Sequence, residues 1–143
     1  MGTDIDPIVR QQLFDVIVRY ATGIDGRDFE LLRTCFTDDC RADYVGVGQW
    51  QSGDEITEFM EGVHADCGHT MHWVGNFTVR PEGDGYATRT YVRAVVLRGD
   101  NRKGLAHHGY YDDTFVAAAD GWRIAARRFT PTWSERVVTW PEA

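Results

Sequence analysis

The sequence predicts an α+β domain in which N-terminal helices cover one face of a curved, mostly antiparallel sheet. Three observations carry this. Apolar residues at helical spacing are confined to the first half of the chain, the second half reads as four long strand-like segments, and short turn sequences separate those segments.

Asp6-Pro7 reads as an N-cap followed by proline at the first helical position, and Ile8, Val9, Leu13, Val16, Ile17, Tyr20 and Ile24 recur at helical spacing. A first helix is expected over about 7–23. The break from Gly23 to Gly26 places Asp25 just beyond its end. Asp28 can cap a second helix with Phe29, Leu32 and Phe36 on one face. A short strand follows around 41–45. Ser52-Gly53-Asp54 then opens a third helix, with Ile56, Phe59, Met60 and Val63 as its apolar stripe.

From His69 onward the period becomes that of strands: 70–80, a turn from Pro81 to Gly85, 86–98, a polar loop 99–104, 105–116, an Ala-Asp-Gly turn, and 122–130. Consecutive antiparallel strands behind helices enclose a pocket. On the first of them Thr70, His72, Asn76 and Thr78 alternate with Met71, Trp73, Phe77 and Val79. One face therefore carries polar groups that either line a cavity or meet solvent.

Composition excludes several function classes. With 143 residues, 43% of them hydrophobic, the chain is large enough to fold around one core without disulfides or a structural metal. Its 15 Lys+Arg against 22 Asp+Glu leave a net charge of -7, which disfavours phosphate backbones and anionic lipid. Neither nucleic acid nor a membrane is an expected partner. Cys35, Cys40 and Cys67 include no C-x-x-C pair and suit reduced, packing thiols. Met1 to Arg10 lacks a basic segment followed by an apolar run, so a cytoplasmic protein is expected.

Motif chemistry narrows the choice further. Gly46-Val-Gly48 lacks the strand-to-helix continuation of a nucleotide fingerprint, and neither Ser52 nor Ser134 sits in a nucleophile elbow. His64, His69 and His72 cluster near Asp66 and Cys67 but match no helical metal-ligand spacing, so no metal is expected. The aromatic residues, among them Phe36, Tyr44, Trp50, Phe59 and Trp73, suit either core packing or a pocket for a flat, apolar ligand.

Three segments carry a family resemblance: Arg19-Tyr20 through Asp25 to Asp28-Phe29, Thr70-Met-His72-Trp-Val-Gly-Asn76, and Asp120-Gly-Trp122 through Arg127-Arg128. Their order and spacing resemble the SnoaL-like branch of the NTF2-like superfamily, in particular its scytalone dehydratase-like members, together with hexachlorocyclohexane dehydrochlorinase and bile-acid 7α-dehydratase. The resemblance implies one domain over residues 1–143 with a half-cone fold, acting on a small apolar or polycyclic molecule. It further implies a catalytic Asp25–His72 dyad, Tyr20 one helical turn inward, and a pocket arginine an odd number of residues past Trp122, which favours Arg127 over Arg128. No cofactor is implied, and a homo-oligomer, dimer or trimer, is expected.

The chemistry of such a dyad is independent of the name. An aspartate in an interhelical turn can accept the Nδ1 hydrogen of a histidine and fix its tautomer, leaving Nε2 free to move a proton. Such a base suits β-elimination, and the same base would serve an isomerase or a polyketide cyclase. A non-catalytic ligand-binding protein or oxygenase small subunit is the reading from another class. Tyr44, Trp50, Phe36, Tyr91 and Asn76 are the candidate substrate-binding residues. The second histidine of scytalone dehydratase has no counterpart on 86–98. His107 and His108 lie on the next strand, where alternation sends one inward and one outward. After the last strand, Trp133, Val137, Val138 and Trp140 need cover from a pocket mouth or a neighbouring subunit.

Overall fold

The computed structural model describes residues 4–139. Helix α1 (Pro7–Asp25) starts where expected, because the Asp6 carboxylate accepts from the Ile8 N–H at 2.8 Å and proline occupies the first turn. It runs two residues further than its apolar pattern suggests, so Asp25 is its last residue rather than part of the turn. Gly23 suits a close approach there: a Cβ would meet the Asp28 carbonyl oxygen and Leu32 at 3.1 Å, tighter than ordinary contact. That close approach lets α2 (Phe29–Arg33) fold directly back against α1.

Phe36 does not continue α2. It opens strand β1 (Phe36–Tyr44), which begins well before the expected segment because Thr34 caps α2 and turns the chain. A three-residue strand, β2 (Gly48–Trp50), was not legible in the sequence, being too short to show a period. Helix α3 (Gly53–His64) is capped by the Ser52 hydroxyl on the Glu55 N–H, while the Glu55 carboxylate reaches back to the Gln51 N–H.

Four long strands complete the chain: β3 (Cys67–Glu82), β4 (Gly85–Arg98), β5 (Lys103–Ala118) and β6 (Gly121–Val138). The sheet order is β2-β1-β6-β5-β4-β3, with only β1 and β6 parallel. Helices thus pack on an open, curved, mostly antiparallel six-stranded sheet, the half-cone of the expected α+β class. Strand β6 continues through most of the segment read as a tail, paired to β5 as far as Lys103–Val138. Trp140 lies outside the described residues.

The core forms where α1 meets the concave face of the sheet. Leu13, Ile17, Tyr20 and Ile24 are buried against Phe36, Tyr111, Phe115 and Ile124. Each fully buried aliphatic side chain there contributes on the order of 1.5–3 kcal/mol. Among the described residues no helix is long and apolar enough to cross a membrane.

Two bulges overturn the simple alternation. On β3 the register shifts between Gly75 and Thr78, so Thr70, His72 and Val74 face inward but beyond them Phe77 takes the inward position in place of Asn76. Asn76 is exposed, with φ +47°. On β6 an extra residue between Ile124 and Ala126 puts Ile124 and Arg127 on the same buried side. Strict alternation would place them on opposite faces.

Candidate active site

The end of α1 delivers Asp25 to the start of β3. Its Oδ1 accepts from the His72 Nδ1–H at 2.8 Å and from the Thr70 hydroxyl at 2.9 Å, and its Oδ2 accepts from the His72 backbone N–H at 2.8 Å. An ionised carboxylate can only accept, so a ring hydrogen lies on Nδ1, and in the neutral imidazole the lone pair is on Nε2. The His72 side chain is 6% exposed.

Arg27, at φ +55°, clamps this junction from the turn. It donates to the Ile24 carbonyl and the Thr70 hydroxyl, both at 2.8 Å, and to the Gly68 carbonyl at 2.6 Å. Nothing in the sequence singled it out, because its role depends on a backbone conformation uncommon for a side-chain-bearing residue. Burial pushes the Asp25 carboxyl up, but hydrogen bonds from the His72 ring, the His72 backbone and Thr70 outweigh it and hold the group below its ordinary value of 3.8. A carboxyl lowered in the fold stabilises the protein above its unfolded value and ceases to do so as pH falls through the folded one. The stability gap between wild type and Asp25→Asn is therefore expected to narrow as pH falls from about 5 toward about 2, which urea titrations at several pH values would measure. A constant gap would show that the carboxylate charge is not what the site stabilises.

Two further imidazoles stand near the dyad. The His64 Nδ1–H donates to the Met60 carbonyl at 2.7 Å, and burial, ahead of the nearby Arg27 and His72 charges, lowers its pKa. Of the neighbours on β5, His107 faces inward and His108 outward. His107 Nδ1 lies 2.9 Å from the Ser134 hydroxyl, whereas His108 stacks on Trp133 with ring centroids 3.7 Å apart. Burial, then the charges of His108 and His72, lower the His107 pKa.

Below the dyad lies a closed polar cluster. The Tyr20 and Tyr44 hydroxyls are 2.6 Å apart. Arg127 points inward and donates to both Asp113 carboxylate oxygens, at 2.7 and 3.0 Å, with its guanidinium 4.2 Å from the Tyr20 ring centroid and 4.0 Å from that of Tyr111. Both side chains of the ion pair are wholly buried. Burial works against the guanidinium charge, but Asp113 overrides it and holds Arg127 well above its ordinary pKa. Only Nη1 remains for another partner, and it lies 3.5 Å from the Tyr44 hydroxyl. Arg128 is exposed.

The other candidate residues divide. Trp50 packs between Tyr44 and Phe59, with centroids 5.6 and 4.3 Å away. Phe36 is fully buried and packs edge-on to Tyr20, so it is core rather than cavity lining. Tyr91 is 47% exposed and packs on Tyr110, because its neighbours Thr90 and Val92 take the inward positions. Together with the exposed Asn76, it does not join the inward-facing groups.

One opening lies at the ends of the long strands, where β3 and β5 begin and β4 and β6 finish. A cavity of about 790 Å³ is lined by Val63, Cys67, Val96, Leu105, His107 and Val137 among others; Asp25 and His72 are not in its wall. Burial pushes the Cys35 and Cys40 thiols up to about 11 and about 12, which removes them as nucleophiles. Among the described residues, no group of three or more His, Cys, Asp or Glu side chains is placed to hold a metal ion.

Residues 9–128 match the SnoaL-like domain family. Uncharacterized protein Rv2910c of Mycobacterium tuberculosis is 33% identical over 120 residues, covering 82% of each chain. A provisionally assigned scytalone dehydratase of Novosphingobium aromaticivorans superposes with a TM-score of 0.82 at 20% identity, over 95% of this chain and 91% of the other. The hexachlorocyclohexane dehydrochlorinase LinA-type3 of Novosphingobium barchaimii LL02 does so with a TM-score of 0.82 at 13% identity, over 94% and 96%. At such identities the two structures speak for fold alone. The match of 9–128 and the mycobacterial relative go further: this chain belongs to the SnoaL-like domain family of the NTF2-like superfamily.

Proposed function

We propose that the protein is a cofactor-independent lyase that removes water, or a comparable leaving group, from a cyclic or polycyclic hydroxy-ketone-like molecule. The observation that carries this is the Asp25–His72 pair, in which a carboxylate fixed by three hydrogen bonds holds the imidazole by Nδ1 and leaves Nε2 as the nitrogen that can exchange a proton. That nitrogen removes a proton beside the carbonyl, the electron pair forms the enolate, and the imidazolium returns its proton to the departing hydroxyl. The similarity to proteins described as a dehydratase and a dehydrochlorinase agrees with elimination chemistry.

Tyr20 and Arg127 act from behind. The guanidinium is occupied by Asp113, so its charge reaches a substrate through the Tyr44 hydroxyl and the Tyr20 hydroxyl bonded to it. Tyr44 and Trp50 supply an apolar wall for a flat ligand. The test is a panel of cyclic β-hydroxy ketones followed by the ultraviolet absorbance of the conjugated enone. Enone formation is the expected result. Exchange of the α-hydrogen without loss of water would favour an isomerase or cyclase, and neither would favour a ligand-binding protein.

A homo-oligomer, dimer or trimer, fits the outer sheet face. Trp73, Arg93, His108 and Trp133 are register partners across it, and Trp73 and Trp133 are about half exposed, at 49% and 55%. Light scattering that reads a monomer would contradict this.

A further inference from the structure

We propose that His107 is a second catalytic residue, which hydrogen-bonds the substrate's carbonyl oxygen from the far side of Ala94 while His72 takes the neighbouring proton. This rests on the reading of Asp25–His72 as the base. The observation is a single cross-sheet row: His72 pairs with Ala94, Ala94 with His107, and His107 with Ser134, so all four side chains leave the same face of neighbouring strands. His72 and His107 each have a fixed Nδ1 partner, Asp25 and Ser134. His107 also lines the 790 Å³ cavity, which gives it access to a ligand entering from the open end.

The spacing suits a small ring. Two strands apart, the Cα atoms of His72 and His107 are separated by about 9.5 Å. Allowing about 2.8 Å for a hydrogen bond at each imidazole leaves roughly 4 Å between the atoms contacted, and less where the concave face brings the rings together. That matches a carbonyl oxygen and a carbon beside it, or two oxygens in a 1,3 relation, on one six-membered ring. Ala94 stands between the two imidazoles in the row, and its methyl is the smallest side chain that keeps the strand regular.

Roles follow from the partners. In the role proposed, the Ser134 hydroxyl is the donor to His107 Nδ1, and the ring hydrogen lies on Nε2. That N–H stabilises the enolate oxygen formed as His72 Nε2 removes the α-proton, and no bond to His107 breaks. A neutral imidazole acting as an electrophile suits a group whose charged form is disfavoured by burial and by two neighbouring imidazoles.

Two measurements test it. In a histidine-resolved NMR titration with cyclohexane-1,3-dione, the ring signals of both His72 and His107 should move with one dissociation constant. Ala94→Leu should weaken binding at least tenfold by placing a larger side chain between the imidazoles, and Ala94→Gly should retain it. Movement of His72 alone, no response from either ring, or wild-type affinity in Ala94→Leu would each overturn the proposal. The second measurement is α-deuterium exchange of 3-hydroxycyclohexanone, where His107→Gln should slow exchange by about 100-fold and His72→Ala should remove it. Exchange lost in His72→Ala but unchanged in His107→Gln would overturn the role of His107 and leave the dyad standing. Exchange retained in His72→Ala, or absent from wild type, would count against the dyad instead, and the titration would then decide on His107.

Discussion

His72→Ala is expected to lower turnover by about 10²–10⁴-fold, the usual worth of a positioned acid or base, while leaving the fold intact. The side chain lies at the inward face of β3, and the sheet there is held by backbone pairing to Ala94 on β4. Its removal takes away one of three hydrogen bonds to Asp25, but the Thr70 hydroxyl and the residue-72 backbone N–H still hold the carboxylate. Enone release should therefore fall while circular dichroism and the urea midpoint change little. Full turnover in a folded variant would remove the proposed mechanism.

Arg127→Met is expected to destabilise the protein by about 3–5 kcal/mol, because it leaves the Asp113 carboxylate buried without its counter-ion. The guanidinium is enclosed by Tyr20, Tyr111 and Phe36, with both ionic partners out of contact with water. Its hydrocarbon replacement fills part of that volume but satisfies none of the polarity. The double variant Arg127→Met, Asp113→Leu should recover much of the loss, since replacing a whole buried pair by apolar groups is often close to neutral. Equilibrium unfolding of both variants checks this. A single variant as stable as wild type would mean that Asp113 finds another partner or takes up a proton at little cost.

What could be read from the sequence depended on how local the signal was. The caps at Asp6, Asp28 and Ser52, the apolar stripes of α1 and α3, and the glycine-rich turns all act within a few residues, and the corresponding elements are present. The contact between Asp25 and His72 spans 47 positions, so periodicity could not reveal it; the family resemblance of two short segments did. Bulges account for most of the differences. One extra residue near Ala125 turns Arg127 toward Ile124's side, and another near Asn76 sends that side chain outward. The choice between His107 and His108 needed the register of β5 against β4, which no single strand contains. Phe36 was misassigned because an apolar residue three or four positions past a short helix fits both its stripe and the following strand.

The central claim is that Asp25 holds His72 with Nε2 free to accept a proton. Nitrogen-15 NMR of the histidine side chains, in wild type and Asp25→Asn, tests it without a substrate. Neutral His72 in the wild type should carry its hydrogen on Nδ1, and Asp25→Asn should lose that single-tautomer signature. Hydrogen on Nε2 in the wild type, with no change on losing the carboxylate, would contradict it, because the nitrogen assigned to the substrate would then have no lone pair to act with.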